Sequence, residues 1–262
     1  MTAESNQILG GDFKVDSLSI AFGGLKAVNQ FSLHLKPMEL QGLIGPNGAG
    51  KTTCFNLITG VYLPDSGSMV LNGKSLVGLN PHQIAEAGIA RTFQNIRLFA
   101  DLTVLENVMV SYHMRVEYGY WDVFLRTPKY YRIEKQFRES ASELLKVMGL
   151  ENRKEDKAKS LSYGDQRRLE IARALATQPK VLLLDEPAAG LNTQEKAALM
   201  GTIADIRNKF KTTILLIEHD MKLVMGICEK ITVLDHGEII AVGTPREIQD
   251  NPKVIEAYLG VG

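Results

Sequence analysis

The chain has 262 residues, 45% hydrophobic and 23% charged, with a formal net charge of zero. That composition excludes a disordered or fibrous chain and suffices for one α/β domain with a second lobe. Its neutrality argues against a nucleic-acid binder, since a phosphate backbone is normally met by a strongly basic face.

At the start of the chain, Phe13, Val15, Leu18, Ile20 and Phe22 nearly alternate, Gly23-Gly24 makes a turn, and Phe31, Leu33 and Leu35 alternate again before Pro37. The pattern predicts antiparallel β structure. Leu40, Leu43 and Ile44 read as a short buried strand, and Thr52 to Thr59 as a helix stopped by Gly60.

Between strand and helix runs GPNGAGKT, from Gly45 to Thr52, with a further hydroxyl at Thr53. Glycine, four residues, glycine, lysine and a hydroxyl residue is the pattern of a phosphate-binding loop. The loop runs Gly45, Pro46, Asn47, Gly48, Ala49, Gly50, and its backbone N–H groups must wrap phosphate oxygens, an approach that side chains at the three glycines would obstruct. Proline brings no N–H of its own. Lys51 is then expected to reach the β- and γ-phosphates and Thr52 to ligate Mg²⁺, with the positive helix end turned to the phosphates. An accidental glycine-rich turn of this form is expected in roughly one chain in a hundred of this size.

Beyond the loop, Pro64-Asp65-Ser66-Gly67 turns the chain into a strand from Ser68 to Leu71, followed by the hairpin signal Asn72-Gly73. Asn80, Pro81 and Gly88 bracket a short helix, and Ile89 to Phe93 is expected as a strand ending at Gln94. Thr103 and Glu106 form a capping box, and the pattern is helical from there to about Gly149, with breaks at Gly119 and Thr127-Pro128. This stretch holds the densest aromatic cluster: Tyr112, Tyr118, Tyr120, Trp121, Phe124, Tyr130 and Tyr131, interleaved with Arg115, Arg126, Lys129 and Arg132. Two readings stay open for it, an aromatic mini-core under a helical hairpin and a docking surface.

A charged connection from Glu151 to Ser160 leads to a helix from Gly164 to Ala176, then to an apolar strand, Val181 to Leu184, terminated by Asp185-Glu186. A long helix from about Thr193 to Lys209, the strand Thr213 to Ile217 and a short helix capped by Asp220 continue the βα alternation, which implies a parallel sheet. Ile231 to Leu234 and Ile239 to Val242 flank the turn Asp235-His236-Gly237, and Thr244 to Glu247 is another capping box, opening the C-terminal helices. The apolar runs are strand-sized and no leader pattern opens the chain, so a cytoplasmic protein is expected. Cys54 and Cys228 lack metal-ligand spacing and read as reduced, structural thiols.

An apolar strand ending in two carboxylates suits Mg²⁺-nucleotide hydrolysis: Asp185 is assigned to the metal's water shell and Glu186 to the attacking water. Alone such a pair is often just solvated, but the upstream phosphate loop supports it.

LSYGDQRRLEIARAL, from Leu161 to Leu175, resembles the signature segment of ABC-type ATPases, which other phosphate-loop enzymes lack. Ser162 and Gly164 precede a helix, so a hydroxyl, backbone N–H groups and a positive helix end can meet phosphate oxygens. A simple capped helix start would explain the serine and glycine but not the Gln166 to Glu170 run. The resemblance implies that the signature of one subunit closes over the phosphate loop of another, so that ATP is sandwiched head to tail. It implies further that Gln94 in RTFQN senses Mg²⁺ and the membrane partner, that His219 in LLIEHD meets the γ-phosphate, and that Phe22 stacks on adenine. Without the family these would read as a polar strand end, a surface histidine and core.

Two departures from the common pattern stand out: Tyr163 replaces a glycine, and Asn192 in AGLN replaces an aspartate of the loop that crosses the dimer interface. An asparagine keeps a hydrogen-bonding carbonyl and loses charge, so coupling between the two sites is expected to differ. The fuller wording, from IGPNGAGKTT and RTFQNIRLF to the ending NPKVIEAYLG, is similar over essentially the whole chain to LivG-like ATP-binding subunits of bacterial branched-chain amino-acid importers, where both departures are at home.

The resemblance implies an α/β phosphate-loop ABC ATPase fold with a mixed core sheet, an antiparallel β subdomain and an inserted helical subdomain. Residues 1–262 then form one nucleotide-binding domain, with lobes 12–95 and 178–262 as the core and 96–177 as the helical part. The implied cofactors are ATP and Mg²⁺. The implied partners are a second ABC ATPase subunit, a paralogue or self, two transmembrane permease subunits and, indirectly, an external substrate-binding protein, with no nucleic acid. The expected place is peripheral, on the cytoplasmic face of the inner membrane. Urea, amide or other amino-acid importers and the lipopolysaccharide export ATPase share nearly all of these motifs. A soluble, non-transport ABC ATPase would carry coiled coils or two ATPase domains, and a non-enzymatic binding module would not turn ATP over.

Overall fold

The computed structural model describes residues 10–116 and 119–259, apart from the side chains of Arg115 and Leu259; Tyr118 and Gly260, both part of segments singled out above, lie outside it. In chain order the elements are strands β1 (Phe13–Phe22), β2 (Leu25–Leu35) and β3 (Leu40–Ile44), helix α1 (Lys51–Ile58), strands β4 (Ser66–Leu71) and β5 (Lys74–Ser75), helix α2 (Pro81–Ala87) and strand β6 (Ile89–Arg91). Helices α3 (Val104–Tyr112), α4 (Tyr120–Phe124), α5 (Pro128–Val147) and α6 (Tyr163–Ala176) follow. The chain closes with β7 (Val181–Asp185), α7 (Thr193–Phe210), β8 (Thr213–Ile217), α8 (Met221–Ile227), β9 (Lys230–Asp235), β10 (Glu238–Gly243), α9 (Pro245–Gln249) and α10 (Pro252–Leu259).

Two sheets form. The alternating segments at the start make a four-stranded antiparallel sheet in the order β2-β1-β4-β5, and the apolar runs make a six-stranded mixed sheet in the order β10-β9-β3-β8-β7-β6. In the second sheet only the β9–β10 pair is antiparallel. β3, β7 and β8 are buried at every residue, as strands covered on both faces must be, and so read as continuous apolar runs.

Register is what positions the site. Leu43 pairs with Ile217, and Ile217 with Asp185, so the carboxyl ends of β3, β8 and β7 lie level. Crevices at the carboxyl ends of parallel strands are where open α/β sheets bind ligands. One hydrophobic cluster runs from Leu182, Leu184, Ile214 and Leu216 of this sheet into Val104, Leu105, Leu144 and Leu169 of the helices. The helical segment is therefore fastened to the sheet by a shared core.

Strand β6 ends at Arg91, two residues before the expected Phe93. Thr92 N–H still reaches the Leu183 carbonyl of β7 at 3.0 Å, but the amide and carbonyl of Phe93 are taken by side chains of α6 instead of the sheet. The aromatic cluster divides: Tyr112 packs on the core and stacks on Phe137, ring centroids 5.5 Å apart, whereas Tyr120, Trp121 and Phe124 are more than three-quarters exposed. Both cysteines are buried free thiols, and burial pushes Cys228 up to about 12. No helix among the described residues is long and apolar enough to cross a membrane.

Candidate active site

The loop after β3 wraps around its own lysine. Lys51 Nζ donates to the carbonyls of Gly45 at 2.7 Å and Pro46 at 2.8 Å. Burial pulls the ammonium below the usual lysine range, and the negative charges of Glu186 and Asp185 oppose that shift. Gly45 and Gly50 are required by the protein's own backbone as much as by a ligand: a Cβ at Gly45 would sit 2.1 Å from the Leu234 carbonyl oxygen, and one at Gly50, at φ 100°, 2.6 Å from that of Ala27.

Around this loop lies a cavity of about 430 Å³, lined by Leu25, Lys26, Ala27, the residues from Asn47 to Thr53, Gln94, Glu186, His219 and His236. The sequence-predicted Asn47, Gly48, Ala49, Gly50, Lys51, Thr52, Thr53, Gln94, Glu186 and His219 are thus brought together from the ends of four parallel strands. The carboxylate of Glu186 accepts from His219 Nε2 at 2.5 Å on one oxygen and from Gln94 Nε2 at 3.0 Å on the other. Glu186 itself is held in the left-handed region, at φ 48°, with its N–H on the Ile217 carbonyl, which keeps it level with His219.

Six expected residues stand outside that lining, and two of them, Gly45 and Pro46, lie just before it with their carbonyls on Lys51. Phe22 is half exposed and meets Tyr62 edge-on, ring centroids 5.2 Å apart, outside the cavity lining. Asp185 lies behind the wall, 3% exposed. Ser162 and Gly164 are at the start of α6, where the Ser162 hydroxyl accepts the Asp165 N–H at 3.2 Å, and neither lines the cavity.

Asp185 is clamped by a residue the sequence reading passed over. Arg91 Nη2 donates to Asp185 Oδ2 at 2.6 Å and Nη1 to Asn56 Oδ1 of α1 at 2.7 Å, with the guanidinium 5.4 Å from the ring centroids of both Phe55 and Phe93. Both members of the ion pair are buried, at 8% and 5% side-chain exposure. The only sequence signal was an arginine on an otherwise apolar strand.

The charged run inside the signature segment likewise acquires a role. Arg167, 1% exposed, donates to the carbonyls of Phe93, at 2.8 Å, and Gln94, and to the Tyr163 hydroxyl at 3.0 Å. Glu170 accepts the Phe93 N–H at 3.2 Å and pairs with Arg167 at 3.1 Å; burial nonetheless pushes its carboxyl above the usual range. Helix α6 therefore holds the backbone on which Gln94 is mounted. Arginine and glutamate three residues apart on a buried helix face could have revealed this.

The two departures fit one another. A Cβ at Gly190 would lie 3.0 Å from the Tyr163 ring, so the signature tyrosine covers the loop before α7, and Asn192 caps α7 in a reciprocal capping box with Glu195.

The donors that could hold magnesium are hard oxygens, namely the Thr52 hydroxyl, the Gln94 amide oxygen and the Asp185 carboxylate. No cluster of three acidic, histidine or cysteine residues among the described residues forms an all-protein cage. That set fits Mg²⁺, which keeps waters and phosphate oxygens in its shell and takes only one or two protein ligands.

Residues 28–189 match the family model described as ABC transporter, and residues 238–262 the model described as branched-chain amino acid ATP-binding cassette transporter. The chain is 51% identical over 246 residues to the high-affinity branched-chain amino acid transport ATP-binding protein LivG of Escherichia coli strain K12, covering 94% of this chain and 96% of that one. In structure it is similar to the ADP conformation of MJ1267, an ATP-binding cassette of an ABC transporter, with a TM-score of 0.83 at 30% identity, covering 95% and 99% of the two chains. It is also similar to a dimeric post-hydrolysis state of the cassette MJ0796 bound to ADP and Pi, with a TM-score of 0.74 at 26% identity, covering 89% and 99%.

Proposed function

Because this chain belongs to the ABC transporter family of ATP-binding cassettes, on the LivG-like branched-chain amino acid branch, we propose that it hydrolyses ATP to drive a membrane importer of leucine, isoleucine and valine. The observation that carries hydrolysis is the carboxylate of Glu186 in the wall of the cavity that Lys51 and Thr52 also line. Bound there, the triphosphate replaces the Gly45 and Pro46 carbonyls as the partner of Lys51 Nζ, and the backbone N–H groups of the loop spread its charge. Glu186 takes a proton from the attacking water as its oxygen closes on the γ-phosphorus, and the bond to the β–γ bridging oxygen breaks. His219 and Gln94 orient that carboxylate and the γ-phosphate. Magnesium, held by Thr52, Gln94 and, through water, Asp185, would supply charge neutralisation at the β- and γ-phosphates. Phe22, beside the turn that leads to the cavity wall, is the residue we assign to the adenine.

A single chain leaves the site incomplete, since Ser162 and Gly164 do not reach its own cavity. We assign them to the ATP of a second cassette, a paralogue or another copy, in a head-to-tail dimer. A groove of about 400 Å³ between α2, β6, α3 and α6, lined among others by Ile84, Phe93, Arg97 and Met114, is where a permease helix would dock, next to the Gln94 backbone. The protein then works on the cytoplasmic face of the inner membrane, its partners being two permeases and, through them, an external binding protein.

Uptake of labelled leucine, isoleucine and valine by cells lacking the gene tests this, with the intact chain or Glu186→Gln supplied back. Uptake should return with the intact chain alone. Unchanged uptake in the deletion strain would remove the substrate assignment and bring the urea, amide and lipid-export readings forward.

A further inference from the structure

Helix α4 buries none of its residues: Tyr120 is 95% exposed, Trp121 76% and Phe124 78%, and Leu125 beyond it 65%. Exposed apolar residues scattered singly need no explanation, but four adjoining large ones do. The segment is nevertheless built. Asp122 accepts the Gly119 N–H at 3.1 Å and the Thr127 hydroxyl at 2.7 Å, closing the turn on itself, and Thr127 caps α5. Trp121 and Phe124 meet edge-on, ring centroids 6.2 Å apart. The result is a braced, convex aromatic tip, a shape that inserts rather than receives.

Its charges are one-sided. Among the described residues of the tip the one acid, Asp122, is turned inward to these two donors, which hold its carboxyl below the usual range. Around it Arg126, Lys129 and Arg132 are exposed. Tyrosine and tryptophan beside apolar residues, ringed by arginine and lysine, is the chemistry of a bilayer interface: rings settle at headgroup depth while basic side chains meet lipid phosphates. In sequence the tip follows the docking groove closely, since Ser111 and Met114 line the groove and Met114 stands six residues before Tyr120.

We propose that the α4 tip is a membrane-contacting element that dips Trp121, Phe124 and Leu125 into the headgroup boundary of an anionic bilayer, fastening the cassette to the lipid surface beside the permease. This rests on the reading of the chain as a peripheral importer subunit, which the uptake experiment tests separately.

Trp121 is the single tryptophan of the chain, so its fluorescence reports on this tip and nothing else. Purified full-length protein should show a blue-shifted emission on mixing with protein-free phosphatidylglycerol–phosphatidylethanolamine vesicles, and quenching by lipids brominated near the headgroup. Phe124→Ser and Leu125→Ser should each weaken vesicle binding roughly tenfold, and Arg126→Gln or Arg132→Gln about fivefold per charge. ATPase activity in solution should be unchanged in all four, since the tip touches neither the core nor the cavity. Emission unaltered by vesicles, or altered only when the vesicles carry the permease, would overturn the proposal, the second result in favour of a protein partner. Lost uptake in the tip variants with unaltered vesicle binding would also count against it.

Discussion

Replacing Arg91 by methionine removes the guanidinium from a site it was built into and leaves the Asp185 carboxylate buried without its partner. The pair is 2.6 Å long with both side chains at least nine-tenths buried, so solvent cannot take over. Breaking such a pair from one side costs about 3–5 kcal/mol, because a charge is left stranded in a medium of low dielectric. At about 2–4 °C per kcal/mol for a chain of this size, the melting temperature should fall by about 6–20 °C. Removing both charges together strands neither, so Arg91→Met with Asp185→Asn should cost less than the sum of the single changes, by about 1–3 kcal/mol. The coupling should be visible in urea and thermal unfolding of the four proteins in the absence of nucleotide. A melting temperature within about 2 °C of the parent for Arg91→Met would refute the reasoning, as would strict additivity. Either would mean that the guanidinium is not what holds the Asp185 carboxylate.

Lys51→Ala removes a charge-assisted bond to phosphate worth about 1.5–3 kcal/mol and should weaken ATP binding by roughly ten- to a hundredfold, as read by calorimetric titration. Ser162→Arg should leave ATP affinity of the monomer unaltered, and the ATP-dependent dimerisation expected in a Glu186→Gln background, followed by light scattering, should be lost with it. Asn192→Ala should lower stability by about 1 kcal/mol through loss of the cap of α7, whereas Asn192→Asp should not. Burial pushes the Glu218 carboxyl above its ordinary 4.5, helped by the charge of Glu186 and opposed by the N–H groups of Ala188, His219 and Asp220. The folded protein then holds that proton more tightly than the unfolded chain, so the contribution is complete below the ordinary value and is lost as pH rises through the raised one. Melting temperature against pH should fall less steeply across weakly acidic solution in Glu218→Gln than in the parent, and parallel curves would contradict the assignment.

What could be read in advance was what is local. The phosphate loop is eight consecutive residues whose glycines, lysine and hydroxyl declare their backbone and chemistry together, and the capping boxes at Thr103 and Thr244 are four-residue signals. Arg91, Arg167 and Glu170 were opaque because each finds its partners far along the chain: 94 residues separate Arg91 from Asp185, and 74 separate Arg167 from Phe93. Strand propensity carried the reading of β6 two residues too far for the same reason, since what ends the strand is a helix more than seventy residues downstream. The aromatic run around Trp121 was ambiguous in principle. Spacing says that such residues could share a face, but whether anything covers that face depends on the path of the chain, and among the described residues nothing covers Tyr120, Trp121 or Phe124.

The grip on Glu186 has one more implication. Each oxygen of Glu186 takes one hydrogen bond, from His219 on one side and Gln94 on the other, which fixes the plane of the carboxylate and leaves a second lone pair on each oxygen. Gln94 rides on backbone gripped by α6, whose Arg167 holds the carbonyls of both Phe93 and Gln94. A shift of that helix would therefore reach Glu186 through a single glutamine side chain, as a tiller turns a rudder.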